Sequence, residues 1–70
     1  MAYPNIEAER ARIGMTRTAL AEEMNISLNT YKKYVSGEAS IPSEKLVLLH
    51  RLFGVSIDYL LGLSSDSGTK

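Results

Sequence analysis

No cysteine occurs in the 70 residues, which closes the chain to a disulfide framework and to any cysteine-ligated zinc or iron site. The one histidine, His50, stands without cysteine or a carboxylate pair near it in sequence. A single imidazole of that kind does not assemble a metal site, so it is read as a structural group and no metal is expected. Long apolar runs are missing too: the longest, 46–49 and 59–61, fall far short of the roughly 20 residues that cross a bilayer. The start of the chain lacks the charged region and apolar stretch of an export signal. No membrane association is therefore expected, and the expected compartment is the cytoplasm. Net charge is absent, with eight basic against eight acidic residues, which argues against a polyanion binder that works by bulk charge alone. Catalytic patterns are lacking as well. No glycine sits in a GxxxxGK frame, the serines lie where helices start or in the tail, and Glu22 and Glu23 are adjacent, hence about 100° apart on a helix and badly placed for paired acid–base work. No enzyme is expected, and no cofactor.

What is present is a soluble globular composition, 44% hydrophobic and 23% charged, in a chain long enough for one domain only. Ordering costs about 1.5 kcal/mol per residue at this size, so such a domain must be locally well formed, bind a partner or self-associate. The expected division is a folded module over residues 1–63 and a polar, mobile tail over 64–70, SSDSGTK. Charge is uneven along the chain. Residues 10–33 carry five cations (Arg10, Arg12, Arg17, Lys32, Lys33) against Glu22 and Glu23, while residues 35–70 hold three cations against four acids.

Strand-like alternation and repeats are missing, and the apolar spacing is three or four throughout. Gly14, Gly37, Gly54 and Gly62 each follow such a stretch and read as helix C-terminal caps. Start signals fall at Pro4 or Asn5, Thr16, Ser27, Ser43 after Pro42, and Ser56. Five short helices result, at about 4–13, 17–24, 28–36, 44–53 and 57–61. The first aligns Ile6, Arg10 and Ile13 on one face, and the second presents Leu20, Ala21 and Met24. In the third, Tyr31, Tyr34 and Val35 turn inward and leave Leu28, Asn29, Lys32 and Lys33 outside. The fourth is apolar on two sides, with Leu46, Val47, Leu49 and Phe53 on one and Leu48 and Leu52 on the other, so it should have two apolar neighbours.

Residues 16–37, TRTALAEEMNISLNTYKKYVSG, read as cap, short helix, three-residue turn, cap and second short helix. Ala21 is small where two helices would cross, Ile26 is apolar inside the turn, and Asn25 occupies the position that calls for a left-handed backbone, where asparagine ranks next to glycine. That is a helix-turn-helix. The outward face of its second helix carries amide and ammonium groups, unlike the Glu/Lys mixture of a merely solvated surface.

From Ile6 to Leu61 the chain resembles the Cro and lambda-repressor type helix-turn-helix family (XRE-like regulators). The likeness is carried by Ile6 with Arg10, Gly14-Met15-Thr16, Leu20-Ala21-Glu22, Ile26-Ser27, Tyr31, Tyr34, Ser36-Gly37, and the C-terminal LFGVSIDYLLG. It implies an all-α, compact five-helix lambda-repressor-like domain with the helix-turn-helix at helices 2 and 3. It also implies sequence-specific binding of double-stranded DNA, commonly as a symmetric dimer, in a regulator of phage, plasmid or host genes. Three departures stand out. Arg17 opens the second helix where the family usually has glutamine, Leu28 stands where a polar reader is usual, and Val35 replaces the glutamate that in many relatives pairs with the arginine equivalent to Arg10.

On this reading the third helix enters the major groove. Asn29 and Lys33 meet base edges, Thr30 and Lys32 lie at the rim, and Leu28 is limited to a thymine methyl or a sugar. Arg17 and the helix starts near Thr16 and Ser43 hold phosphates. Leu48, Leu52, Ile57, Tyr59 and Leu63 form an apolar patch for a homodimer. Arg10 either points inward, where helix C-terminal carbonyls or Glu38 are the nearest acceptors by sequence, or turns outward as a surface cation; on the inward reading Val35→Glu should be tolerated or stabilising, because it supplies the missing partner. The core is too small for a ligand cavity, and no small-molecule effector is expected. The alternative is a protein-interaction module of the same fold, such as an antitoxin-like or regulator-binding protein, which zero net charge would permit.

Overall fold

A computed structural model describes residues 2–64 of the chain. The last six positions of the expected tail lie outside the described residues. Five helices follow one another: α1 (Pro4–Arg12), α2 (Arg17–Glu23), α3 (Leu28–Ser36), α4 (Ser43–Phe53) and α5 (Ile57–Leu60). Among the described residues there is no strand. The domain is thus all-α, with α2 packed on α3, α4 on α5, and α1 bridging α3 and α5.

Local chemistry sets most of the boundaries. The hydroxyls of Thr16, Ser27 and Ser56 accept from the backbone N–H groups of Ala19, Thr30 and Tyr59, which satisfies donors that a helix start leaves without partners. Asn25 closes α2 at φ +58°, and the Ile26 N–H returns to the Ala21 carbonyl at 3.0 Å. The sharp turn between α2 and α3 depends on that left-handed residue.

Two starts differ from the expectation. Of the two start signals for α1, Pro4 is the first helical residue, but Asn5 does not cap the helix, whose N-cap is Tyr3 without a side-chain bond. Its amide instead donates to the Tyr59 carbonyl at 2.7 Å, because Asn5 already lies inside the helix beside α5. Nor does Ser43 cap α4. Pro42 holds the N-cap position and Ser43 is the first helical residue, with no side-chain capping bond.

The core joins all five helices: Ile6 from α1, Leu20, Ala21 and Met24 at α2, Tyr31 from α3, Leu49 and Phe53 from α4, Val55, and Leu60 from α5. Ile26, Tyr34, Val35 and Leu48 pack around it, half-buried. Three residues expected on inward faces are outside it, the half-buried Leu46 among them. Ile13 lies just past the end of α1 and is 36% exposed, and Val47 is 38% exposed. Along α4, Leu49 and Phe53, four residues apart, take the inward stripe, and Val47 lines an outer groove with Leu48 and Leu52.

Arg10 is held, but not by the partners expected. Its Nε pairs with Glu7 Oε2 at 3.1 Å and an Nη donates to the Met15 carbonyl at 2.6 Å. Glu38 takes no part in this set, since Glu7 lies one turn back on the same face of α1 and is nearer. The expectation for position 35 therefore reverses. Val35 packs against the core and its carbonyl accepts from the Tyr3 N–H at 2.8 Å. Val35→Glu would press a carboxylate on apolar neighbours while Arg10 is already satisfied. Urea denaturation should show a loss of about 1–3 kcal/mol. An unchanged midpoint would mean that Arg10 exchanges partners at no cost.

Candidate nucleic-acid interface

The sequence of α3 divides its residues around the helix. Tyr31 has no exposed surface, and Tyr34 and Val35 are half-buried. Leu28, Asn29, Lys32 and Lys33 are exposed on the opposite side, with Leu28 at 36% exposure. Asn29 and Lys33 lie at i and i+4, as do Leu28 and Lys32, so the four heads form one patch about one turn deep. Neither lysine enters an ion pair among the described residues. Thr30 stands apart from the patch: it is half-buried, and its hydroxyl accepts from Ser27 Oγ at 3.0 Å.

The other three cations of the basic stretch are committed to acids of α1. Arg12 Nε pairs with Glu9 at 2.6 Å, and an Nη donates to the Phe53 carbonyl at the end of α4, 3.1 Å away. Among the described residues Glu9 is the one buried charged residue; it also accepts from the Tyr59 hydroxyl at 3.3 Å. Glu7 accepts from Arg10, from Arg17 Nε at 2.8 Å, and from the Tyr31 hydroxyl. Burial works to raise the Glu7 carboxyl, but the bonds from Tyr31, Arg10 and Arg17 outweigh it and hold its pKa below the ordinary range. The Tyr31 phenol moves the other way: burial first, then its bond to Glu7, push it well above the usual tyrosine value.

Arg17, the first residue of α2, keeps about half of its side chain exposed while Glu7 holds its Nε. Thr16 next to it is exposed, its oxygen occupied by capping. Ser43 is exposed at the start of α4. Sequence reasoning placed Arg17 at this corner and missed its partner. The signal available was Glu7 itself, whose charge lies outside the 10–33 window, ten residues before Arg17.

Four of the five residues expected to form a dimer patch line two surface depressions. Leu48 and Leu52 line an open groove of about 420 Å³ on the outer face of α4, together with Glu23, Glu44, Val47 and Arg51. Tyr59 and Leu63 line a different surface depression beside Asn5 and Gly62. Ile57 is half-buried and lines neither. The Tyr59 hydroxyl reaches Glu9 of α1, and its backbone carbonyl accepts from Asn5. His50 is bonded through Nδ1 to the Val55 carbonyl at 2.6 Å. Among the described residues no group of histidines and acids could hold a metal, and no helix is long and apolar enough to cross a membrane.

The model of the family described as Helix-turn-helix matches residues 6–60, which takes in all the capped turns and the α3 patch. The chain is similar to an uncharacterized HTH-type transcriptional regulator of Bacillus subtilis, YobD, at 41% identity over 56 residues, 80% of this chain and 50% of that protein. It is also similar to the cryptic phage CTXphi transcriptional repressor RstR of Vibrio cholerae, at 43% identity over 54 residues, 77% of this chain and 48% of that protein. The chain thus spans about half the length of the curated relatives it matches. No solved structure matches it at a significant level.

Proposed function

The chain belongs to the helix-turn-helix family of Cro and lambda-repressor type, and on that premise we propose that it is a non-enzymatic transcriptional regulator of repressor type, acting in the cytoplasm on double-stranded DNA. The observation that carries this reading is the α3 patch. Asn29, Lys32 and Lys33 stand exposed there, the lysines outside any ion pair among the described residues, while Arg10, Arg12 and Arg17 are all bound to α1 acids. The helix that a helix-turn-helix inserts in the major groove thus carries two uncommitted cations and no acid, whereas α4, which holds Lys45 and Arg51, also carries Glu44. Asn29 and Lys33 address base edges, Lys32 and Leu28 the rim and sugars, and Thr30 contributes through packing of the helix start. Arg17, with the backbone donors after Thr16 and near Ser43, meets phosphates.

The test is a salt titration of binding to duplex DNA taken from a random pool by the chain itself. Phosphate contacts release counterions, so log K should fall steeply and linearly with log salt. A shallow slope, or no enrichment of any sequence, would favour the protein-interaction reading.

Self-association belongs to the same proposal. Leu52 and Leu63 are 37% and 71% exposed, on surfaces that a second copy would cover along with Leu48, Ile57 and Tyr59. Sedimentation should show a dimer at about 100 μM, the weak end of small-dimer affinities. A monomer at that concentration would remove the dimer from the proposal.

A further inference from the structure

Glu7 belongs to α1, outside the helix-turn-helix, yet its two carboxylate oxygens divide between the two helices of that motif. Oε1 accepts from Arg17 Nε at 2.8 Å, at the first residue of α2. Oε2 accepts from the hydroxyl of Tyr31, the buried anchor of α3, and from Arg10. Arg10 in turn donates to the Met15 carbonyl, which lies in the link from α1 to α2.

The bond to Arg17 has a definite geometry. A guanidinium offers donors along a planar fork, and Glu7 takes the Nε edge. The Nη groups stay at the end of a side chain that remains about half exposed. An arginine free to rotate would have to be ordered when it meets a phosphate, at a cost of rotamer freedom. Here that ordering is done in advance.

We propose that Glu7 is a positioning residue for DNA binding, one that holds the Arg17 guanidinium at a fixed offset from the exposed face of α3. The inference rests on the reading of Arg17 as a phosphate contact and adds to it the residue that sets its place. It also accounts for a carboxylate beside a surface meant for a polyanion. By charge alone Glu7 should weaken DNA binding, because it places a negative group near the phosphates. By positioning it should strengthen binding. The two effects have opposite signs, which makes the outcome of its removal informative.

The experiment measures affinity for the duplex enriched by the chain itself, by fluorescence anisotropy, for wild type, Glu7→Gln, Arg17→Ala and the double variant. Glu7→Gln is expected to weaken binding by about 3- to 10-fold in the wild-type background and by less than about 2-fold in the Arg17→Ala background, the coupling that contacting residues show in such cycles. Thermal unfolding of each variant is measured first. Where Glu7→Gln does not fold, Glu7→Asp replaces it: the charge is kept and the reach shortened, so a loss of affinity confined to the Arg17 background carries the same meaning. Unchanged or tighter binding, or equal losses in both backgrounds, would overturn the positioning role and leave the phosphate contact standing. An Arg17→Ala variant that binds as well as wild type would overturn the phosphate contact and the positioning role with it.

Discussion

Tyr31→Ala is expected to lower the melting midpoint by about 15–30 °C, the largest effect of any single change outside the interface. Tyr31 has no exposed surface and lies where α1, α2 and α3 meet. Truncating a buried ring of this size costs about 3–5 kcal/mol, the lost transfer energy plus the cavity left behind. A domain of this length has roughly 0.1 kcal/mol of stability per residue, or about 7 kcal/mol in all. In a domain of 60–100 residues each kcal/mol moves the midpoint by about 4–8 °C.

Tyr31→Phe separates the ring from its hydroxyl. The ring still fills its place, Arg10 and Arg17 still bond Glu7, and the midpoint should fall less than in Tyr31→Ala, by about 6–20 °C, as for one lost bond to a charged group. Its pH profile should differ from wild type at both ends. The folded-state pKa of Tyr31 is raised, so its contribution is fully present below the ordinary tyrosine value of about 10 and is lost as pH rises past it. Glu7 is lowered, so its contribution is present above the ordinary glutamate value of about 4.3 and is lost as pH falls through the folded value. Thermal melts from acid to alkaline pH should show both declines in wild type and weaker ones in Tyr31→Phe. Some alkaline decline will persist, because burial and Glu9 raise Tyr59 in the same direction. Equal instability of the Phe and Ala variants would mean that the hydroxyl, and not the packed ring, carries the site.

The order and extent of the helices were legible because they are fixed by neighbours in sequence. Thr16, Ser27 and Ser56 cap within three residues, and Asn25 and Gly37 take up left-handed backbone where helices end. None of this needs the rest of the chain. The same holds for the outward face of α3, since the spacing of Tyr31, Tyr34 and Val35 decides which side turns in. Less was legible wherever two choices had the same local pattern. Along α4 either of two apolar stripes could face the core, and Val47 ended on the outer one. Charge was the other blind point. Counting residues 10–33 made that stretch basic, but its three arginines are matched by Glu7 and Glu9, two acids just before the window. Pairing across space cancels what a linear count keeps apart, and what remains of the stretch is the lysine pair of α3 and, on α2, Glu22 and Glu23. The same arithmetic explains how a chain without net charge can present a polyanion with a cationic face. Glu7 and Glu9 are spent between helices, and α3 itself carries two lysines and no acid, while Glu22, Glu23, Glu38, Glu44 and Asp58 stay exposed on other parts of the chain.

That division of labour sets the second large expectation, which separates residues that read from residues that hold. Asn29 lies one turn before Lys33, and both are exposed on the same side of α3, so both heads can enter one groove and address neighbouring base pairs. The asparagine amide has a donor and an acceptor, which suits adenine N6 and N7; the lysine ammonium has donors only, which suits guanine O6 and N7. Asn29→Ala and Lys33→Ala should each cost about 1–3 kcal/mol on the best operator, roughly 5- to 150-fold in Kd, and relax preference at one base-pair position. Arg17→Ala should weaken all sequences alike and reduce the salt slope by about 1, since a phosphate has no sequence to read. Folding should not confuse the comparison, because neither α3 head touches the core. Parallel selections with each variant, followed by salt titrations on the enriched duplexes, measure both quantities. Were Lys33→Ala to lose affinity uniformly with its preference intact, Lys33 would join Arg17 as a backbone contact. Sequence reading would then fall to Asn29 and to the apolar edge at Leu28, a helix able to tell a thymine methyl and an adenine from other bases but with no donor left for guanine.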